Sequence, residues 1–204
     1  MNWVIKMRIK DFLVEKWGSG TELNNCWTQK KLSFISNDAR LNILFNPIPD
    51  VSSYSKFFGE ASSKQLLDFY RHYNGCKLFS GSLCVYGMQN QSNDLYQTYD
   101  LEWENQRVHQ MLGLKGYLIF GSLGGQYLFA FKTDSRDETV YCIDVDNGDV
   151  IRSFENFDTL FSTLFNRLYE EYDEIGCKIH RNLKLKNIKP LFNVTFEKEF
   201  LEDK

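Results

Sequence analysis

The sequence predicts an α+β domain, and three observations carry that reading. Residues 66–75, Leu66-Leu67-Asp68-Phe69-Tyr70-Arg71-His72-Tyr73-Asn74-Gly75, read as a helix that stops at Asn-Gly and runs into a short hairpin. From residue 116 the pattern becomes a succession of apolar strand runs with short connections, which favours antiparallel pairing. An amphipathic helix with an aromatic stripe follows.

In chain order, Ile5, Ile9, Phe12 and Leu13 share one face and predict a helix over 3–17. Residues 18–61 are the least regular part, with short strands expected at 32–35 and 41–45. Pro47 and Pro49 end the second. A helix over 62–74 carries Leu66, Leu67, Tyr70 and Tyr73 at helical spacing. Ser62 or Ser63 supplies its N-cap, and Gly75 takes the left-handed conformation that closes its end. The hairpin at 76–88 turns at Ser80-Gly81. A polar loop fills 89–99. Asp100 caps a helix that runs through Leu112, with Trp103 in its first turn and Gly113 at its close. Strands are expected at 117–120, 126–131 and 139–145, with a break at 121–125. Asn147-Gly148 is the strongest hairpin signal in the chain and leads into Val150-Ile151. Ser153 is the expected cap of the last helix, whose stripe is Phe154, Phe157, Phe161, Leu164, Leu168 and Tyr172. Beyond Gly176 the chain turns basic, and 190–196 reads as an edge strand.

Composition bounds the function. The 204 residues fit one domain, which buries roughly 70% of its unfolded surface and needs no metal or disulfide to fold. Seventeen Phe, eleven Tyr and four Trp imply a core filled by aromatics. A net charge of −3 gives no basic footprint for nucleic acid. The first ten residues lack the apolar stretch of a signal peptide, and no run approaches the ~18 apolar residues of a membrane span. A cytoplasmic protein is expected. Five Cys occur without a C-x-x-C pair, and Cys76, Cys84 and Cys142 read as small buried hydrophobes.

Motifs that would carry chemistry are absent or mis-spaced. Gly121, Gly124 and Gly125 follow a strand, but neither phosphate-loop spacing fits and the next element is a strand. Asp144, Asp146, Asp149 and Gly148 resemble a calcium loop, yet the glycine is fifth rather than sixth and a strand precedes it. His72, His109 and His180 lie on separate elements with no metal-ligand pairing. No catalytic residue, cofactor site or metal site is assigned, and an enzyme is not expected. The charge distribution says more. Residues 134–174 hold twelve acids and three bases, a net −9. Such a field steers basic partners.

The order of elements resembles the SUKH superfamily, which contains yeast Smi/Knr-type cell-wall regulators and many bacterial immunity proteins of polymorphic toxin systems. The similar pieces are the 66–73 helix into Asn74-Gly75, the 78–86 hairpin, and the strand pair around 121–125. The Val140-Tyr141-x-x-Asp144 strand and Ser153-Phe154-Glu155-x-Phe157 complete them. The resemblance implies a single α+β domain with a curved, mostly antiparallel sheet packed by helices. Its core spans about 60–173, with an extension at 1–59 and a basic tail at 177–204. It also implies binding without catalysis: an immunity protein that neutralises a cognate toxin, often a nuclease. The alternative it implies is an intracellular adaptor of the Smi/Knr type. A basic toxin domain is the expected partner, with no nucleic acid and no membrane. The expected contact residues are Asp134, Asp137, Glu138, Asp144, Asp146 and Asp149, together with the aromatics Tyr96, Tyr99 and Trp103.

Overall fold

The computed structural model describes residues 15–16, 21–23, 26–28, 44–45, 54, 57, 63–88, 100–135, 137–173 and 179. Among the described residues, nine strands form one open sheet whose spatial order is the chain order, every neighbouring pair antiparallel. Three short strands come first: β1 (Thr21–Leu23), β2 (Cys26–Thr28) and β3 (Leu44–Phe45). Six follow: β4 (Cys76–Leu78), β5 (Leu83–Val85), β6 (Tyr117–Leu123), β7 (Tyr127–Lys132), β8 (Val140–Asp144) and β9 (Val150–Phe154). Among the described residues the helices with given bounds are α1 (Lys64–Tyr70), α2 (Leu101–Leu112) and α3 (Phe157–Glu170). This is the α+β class expected from the sequence.

The helices pack through the predicted aromatics. α1 buries Leu66, Phe69 and Tyr70. Phe69 meets Phe157 and Phe161 of α3 at ring separations of 5.7 and 6.0 Å. Phe157 meets Phe120 of β6 at 5.7 Å, tying helices to sheet. At the other end of α3, Phe79 lies between Phe165 (5.4 Å) and Tyr172 (5.8 Å). Each such buried side chain contributes about 1.5–3 kcal/mol.

Several boundaries differ from the sequence reading. The helix predicted over 62–74 is capped by Ser63, whose Oγ accepts from the Leu66 amide, but it ends at Tyr70 rather than 74. Asn74 explains the early stop. It is fully buried; its Nδ2 donates to the Met88 carbonyl (2.9 Å) and its Oδ1 accepts from the Met88 amide (2.8 Å) and the Tyr54 hydroxyl. The chain must leave the helix to reach these partners. Gly75 is left-handed as expected (φ +75°), several residues beyond the helix. Its hydrogen faces the backbone of the β5 exit; a Cβ there would stand 2.6 Å from the Val85 carbonyl oxygen.

Gly121 lies inside β6, not in a break; the turn is at 124–126. A bulge between Ile119 and Gly121 shifts the register, and a Cβ at Gly121 would meet the Cys84 carbonyl oxygen at 2.5 Å. Bulges of this kind bend a strand and raise its twist. Ser153 and Phe154 belong to β9, and the cap of α3 is Asn156, whose Oδ1 accepts from the Thr159 amide at 2.9 Å. Phe154 is still buried, at the end of β9 next to α3, although Val150 and Arg152 earlier in the strand are exposed. The β1–β2 pair lies outside the expected strands, and the strand expected at 41–45 is described at Leu44–Phe45. The expected helix over 3–17 is described only at Glu15 and Lys16, which are helical. The expected strand at 32–35, the loop at 89–99 and the strand at 190–196 lie outside the described residues.

Candidate functional site

β8 separates the predicted acidic residues into two groups, one in the turn before it and one in the turn after it. Five strand residues hold the two turns about 17 Å apart.

The group before β8 joins the start of two helices. Asp134 and Asp137 are exposed. The Asp137 carboxylate accepts from the Thr139 amide at 3.0 Å. Hydrogen bonding from Ser135 and then from Thr139 holds that carboxyl below its usual value. Glu138 is half-buried, and its Oε1 accepts from the Lys64 amide at the start of α1 (3.2 Å). Asp158, in the first turn of α3, is half-buried nearby. Burial, then the charges of Glu138 and Asp68, push its carboxyl above the usual value. Asp68 was absent from the sequence-level candidates. It reaches this group only because α1 and α3 pack side by side.

The group after β8 is a hairpin turn. The Asp144 amide donates to the Asp149 carbonyl and the Gly148 amide to the Asp144 carbonyl, both at 2.9 Å. Asp144 Oδ1 accepts from the Asp146 amide (2.8 Å), and Asn147 Oδ1 from the Asp149 amide (2.9 Å). Two side chains thus build the turn, and Asp146 and Asp149 are exposed upon it. Gly148 is left-handed at φ +76°. A Cβ there would stand 3.8 Å from Leu112 and Leu114, so the turn abuts the C-terminal end of α2.

α2 carries the third candidate. Asp100 caps it, accepting from the Trp103 amide at 2.7 Å, and Gly113 closes it with φ +69°, both as expected. Trp103 is exposed. Tyr96 and Tyr99 lie outside the described residues. The sequence reading missed what stands behind Trp103. Leu101, Glu104, Asn105 and Val108 are the buried residues of α2. Asn105 continues the ladder where β5 ends: its Oδ1 accepts from the Ile119 amide (2.8 Å) and its Nδ2 donates to the Ile119 carbonyl (2.7 Å). Glu104 binds Arg107 through Oε2, with Nη2 at 2.7 Å and Nε at 3.0 Å. Polar residues at the apolar phase of a helix, spaced i, i+3, i+4, i+7, were the available signal.

Cys76, Cys84 and Cys142 are buried in the core. Burial holds the Cys76 thiol well above its usual pKa and pushes Cys84 up to about 11 and Cys142 up to about 12. All three are therefore protonated at neutral pH. The His109 ring bonds the Tyr117 carbonyl at 2.8 Å. Among the described residues, no group of three or more His, Cys, Asp or Glu is arranged to hold a metal ion. No helix among them is long and apolar enough to cross a membrane.

A family model, that of the SMI1 / KNR4 family (SUKH-1), matches residues 50–163. The match runs from before α1 into α3 and takes in β4 to β9 and the whole of α2. No curated protein and no solved structure matches the chain.

Proposed function

Because the chain belongs to the SMI1 / KNR4 family (SUKH-1), we propose that it is a non-catalytic binding protein that neutralises a cognate toxin domain by direct contact in the cytoplasm. The observation that carries this reading is the acidic balance of 134–174, net −9 within a chain of net −3, with four of its six candidate acids exposed on two turns. A nuclease must hold phosphates, so its working cleft is basic. An acidic protein surface complements that cleft, raises the encounter rate and selects against acidic partners.

Co-expression with toxin-like domains, beginning with any found encoded next to this chain's gene, tests the proposal. Expected are restored growth, a one-to-one complex, and an association rate that falls as salt rises from about 0.05 to 0.5 M, where the Debye length shrinks to a few Å. Recovery of several housekeeping proteins instead, at one-to-one ratios, favours the intracellular adaptor. Turnover that survives purification and disappears with one polar substitution makes the chain an enzyme.

A further inference from the structure

Four large apolar side chains are exposed among the described residues, and two of them, Trp103 (57% exposed) and Met111 (65%), stand on α2. Eight positions apart, they lie on one side of the helix. Arg107 links them. Its guanidinium carbon is 5.6 Å from the Trp103 ring centroid, and its Nη1 donates to Met111 Sδ at 3.5 Å. From behind, Glu104 grips the same guanidinium; its side chain is only 3% exposed. The ion pair neutralises the arginine and holds it in place. The stripe is therefore apolar, electrically quiet and ordered before any partner arrives, which lowers the entropy lost on binding. Trp, Arg and Met are the types enriched at the centres of interfaces.

Charge frames this stripe at both ends. Exposed Glu102 stands beside Trp103 in the first turn. At the other end the 144–149 turn abuts Leu112 and Leu114, bringing exposed Asp146 and Asp149 alongside. With exposed Lys115 as a cation among these acids, an apolar centre with a mainly acidic rim complements a protein surface with an apolar patch inside a basic rim. It repels the phosphates of a nucleic acid, and a second copy would set acid against acid.

The geometry points to the outer face of α2, framed by the 144–149 turn, as the surface on which the basic toxin domain docks. This inference rests on the function proposed above and specifies its interface. The acids at 134–138, at the far end of β8, then act at a distance: they speed the encounter and do not hold the complex.

The probe is the toxin domain that the co-expression above identifies, purified in a catalytically inactive form and followed by stopped-flow association and by dissociation. Trp103→Ala with Met111→Ala is expected to weaken binding about 100-fold, mainly through faster dissociation. Asp134→Asn with Asp137→Asn and Glu138→Gln is expected to slow association at low salt and leave dissociation unchanged. Each variant's thermal unfolding is recorded, so that a folding defect is separated from a binding defect. If the stripe variant dissociates like the parent, or the 134–138 variant dissociates faster, the inference is overturned while the toxin-binding function stands. If the parent chain does not bind the domain, function and inference fall together. If sedimentation shows a dimer that Trp103→Ala with Met111→Ala converts to a monomer, the face serves self-association and the inference is overturned.

Discussion

Asn74-Gly75 and the Trp103, Arg107, Met111 stripe are each a few residues beside a helix, and they sit at opposite extremes of burial. Asn74 is fully buried, and its side chain fastens the end of α1 to residue 88, where the β4–β5 hairpin leaves the core. Trp103 and Met111 are the two most exposed large apolar side chains described. The Asn-Gly pair made the family resemblance legible because the fold needs those two residues for backbone reasons. For the same reason it is silent about a partner. The stripe is something the fold merely tolerates, and so it can report on function.

That contrast predicts effects of very different size. The largest is at Gly75. Alanine there keeps a positive φ and drives its Cβ against three backbone atoms, at 2.6, 2.8 and 2.9 Å. Backbone strain of about 1 kcal/mol and overpacking of about 1–3 kcal/mol together give a loss near 3 kcal/mol. Urea denaturation measures it. A loss below about 1 kcal/mol would mean that the close approach is not needed and the contrast is overdrawn.

Asn74→Ala comes next. It strips the Met88 carbonyl and amide of their Asn74 partners, while the Tyr54 hydroxyl still accepts from that amide at 2.9 Å. The Met88 carbonyl loses its Asn74 donor, at about 1–3 kcal/mol, and the Tyr54 hydroxyl loses its Asn74 acceptor, so at least about 2 kcal/mol is expected by the same measurement. Asn74→Asp keeps the acceptor and adds a buried charge, and it should be worse than alanine at neutral pH and approach it in acid.

Asp158 lies between the extremes. The start of α3 favours a negative charge through the helix dipole. Burial, Glu138 and Asp68 outweigh it, and the carboxyl is raised. A raised folded-state value means that the native state binds the proton more tightly than the unfolded chain does. The associated stability is fully present below the ordinary carboxylate value and is lost as pH rises through the raised one. Asp158→Asn fixes the uncharged form. Its stability should therefore match the parent in acid and exceed it as pH climbs above the carboxylate range. Denaturation curves between about pH 4 and 7 check this. A gap that closes with rising pH would reverse the assignment.

Burial also decides what was legible in the sequence. The Asp100 and Gly113 boundaries of α2, the left-handed Gly75, the Asn147-Gly148 turn and the stripe of α3 follow from local chemistry, and the structure has each of them. Ser153 misled because Asn156, three residues on, caps as well, and the β8–β9 ladder claims Ser153 first. Gly121 misled because a strand glycine under a close backbone looks like a turn glycine. The candidate surface was readable only as a list. Its acids are adjacent in sequence across β8, yet the strand parts them, and the partner of the 144–149 turn is the end of α2, more than thirty residues earlier. The Glu104–Arg107 pair is an i, i+3 contact within α2; only the burial of Glu104 comes from packing against the rest of the fold.

The smallest expected effect is the stability change of Trp103→Ala with Met111→Ala. Removing two large apolar side chains from a core would cost about 2–5 kcal/mol each. Here both side chains are mostly in water, so little burial is lost. The Glu104–Arg107 pair persists, because its bonds do not involve either residue. What disappears is the guanidinium contact with the Trp103 ring, about 0.5–1 kcal/mol at an exposed site, and the weak, exposed bond from Arg107 Nη1 to Met111 Sδ. Alanine is the better helix former at both positions, by up to about 0.7 kcal/mol each, which offsets that loss. The double variant should therefore unfold within about 0.5 kcal/mol of the parent in urea. A loss above about 1.5 kcal/mol would place Trp103 and Met111 with the core, beside Asn74, and remove the reason for reading α2 as a surface kept for a partner.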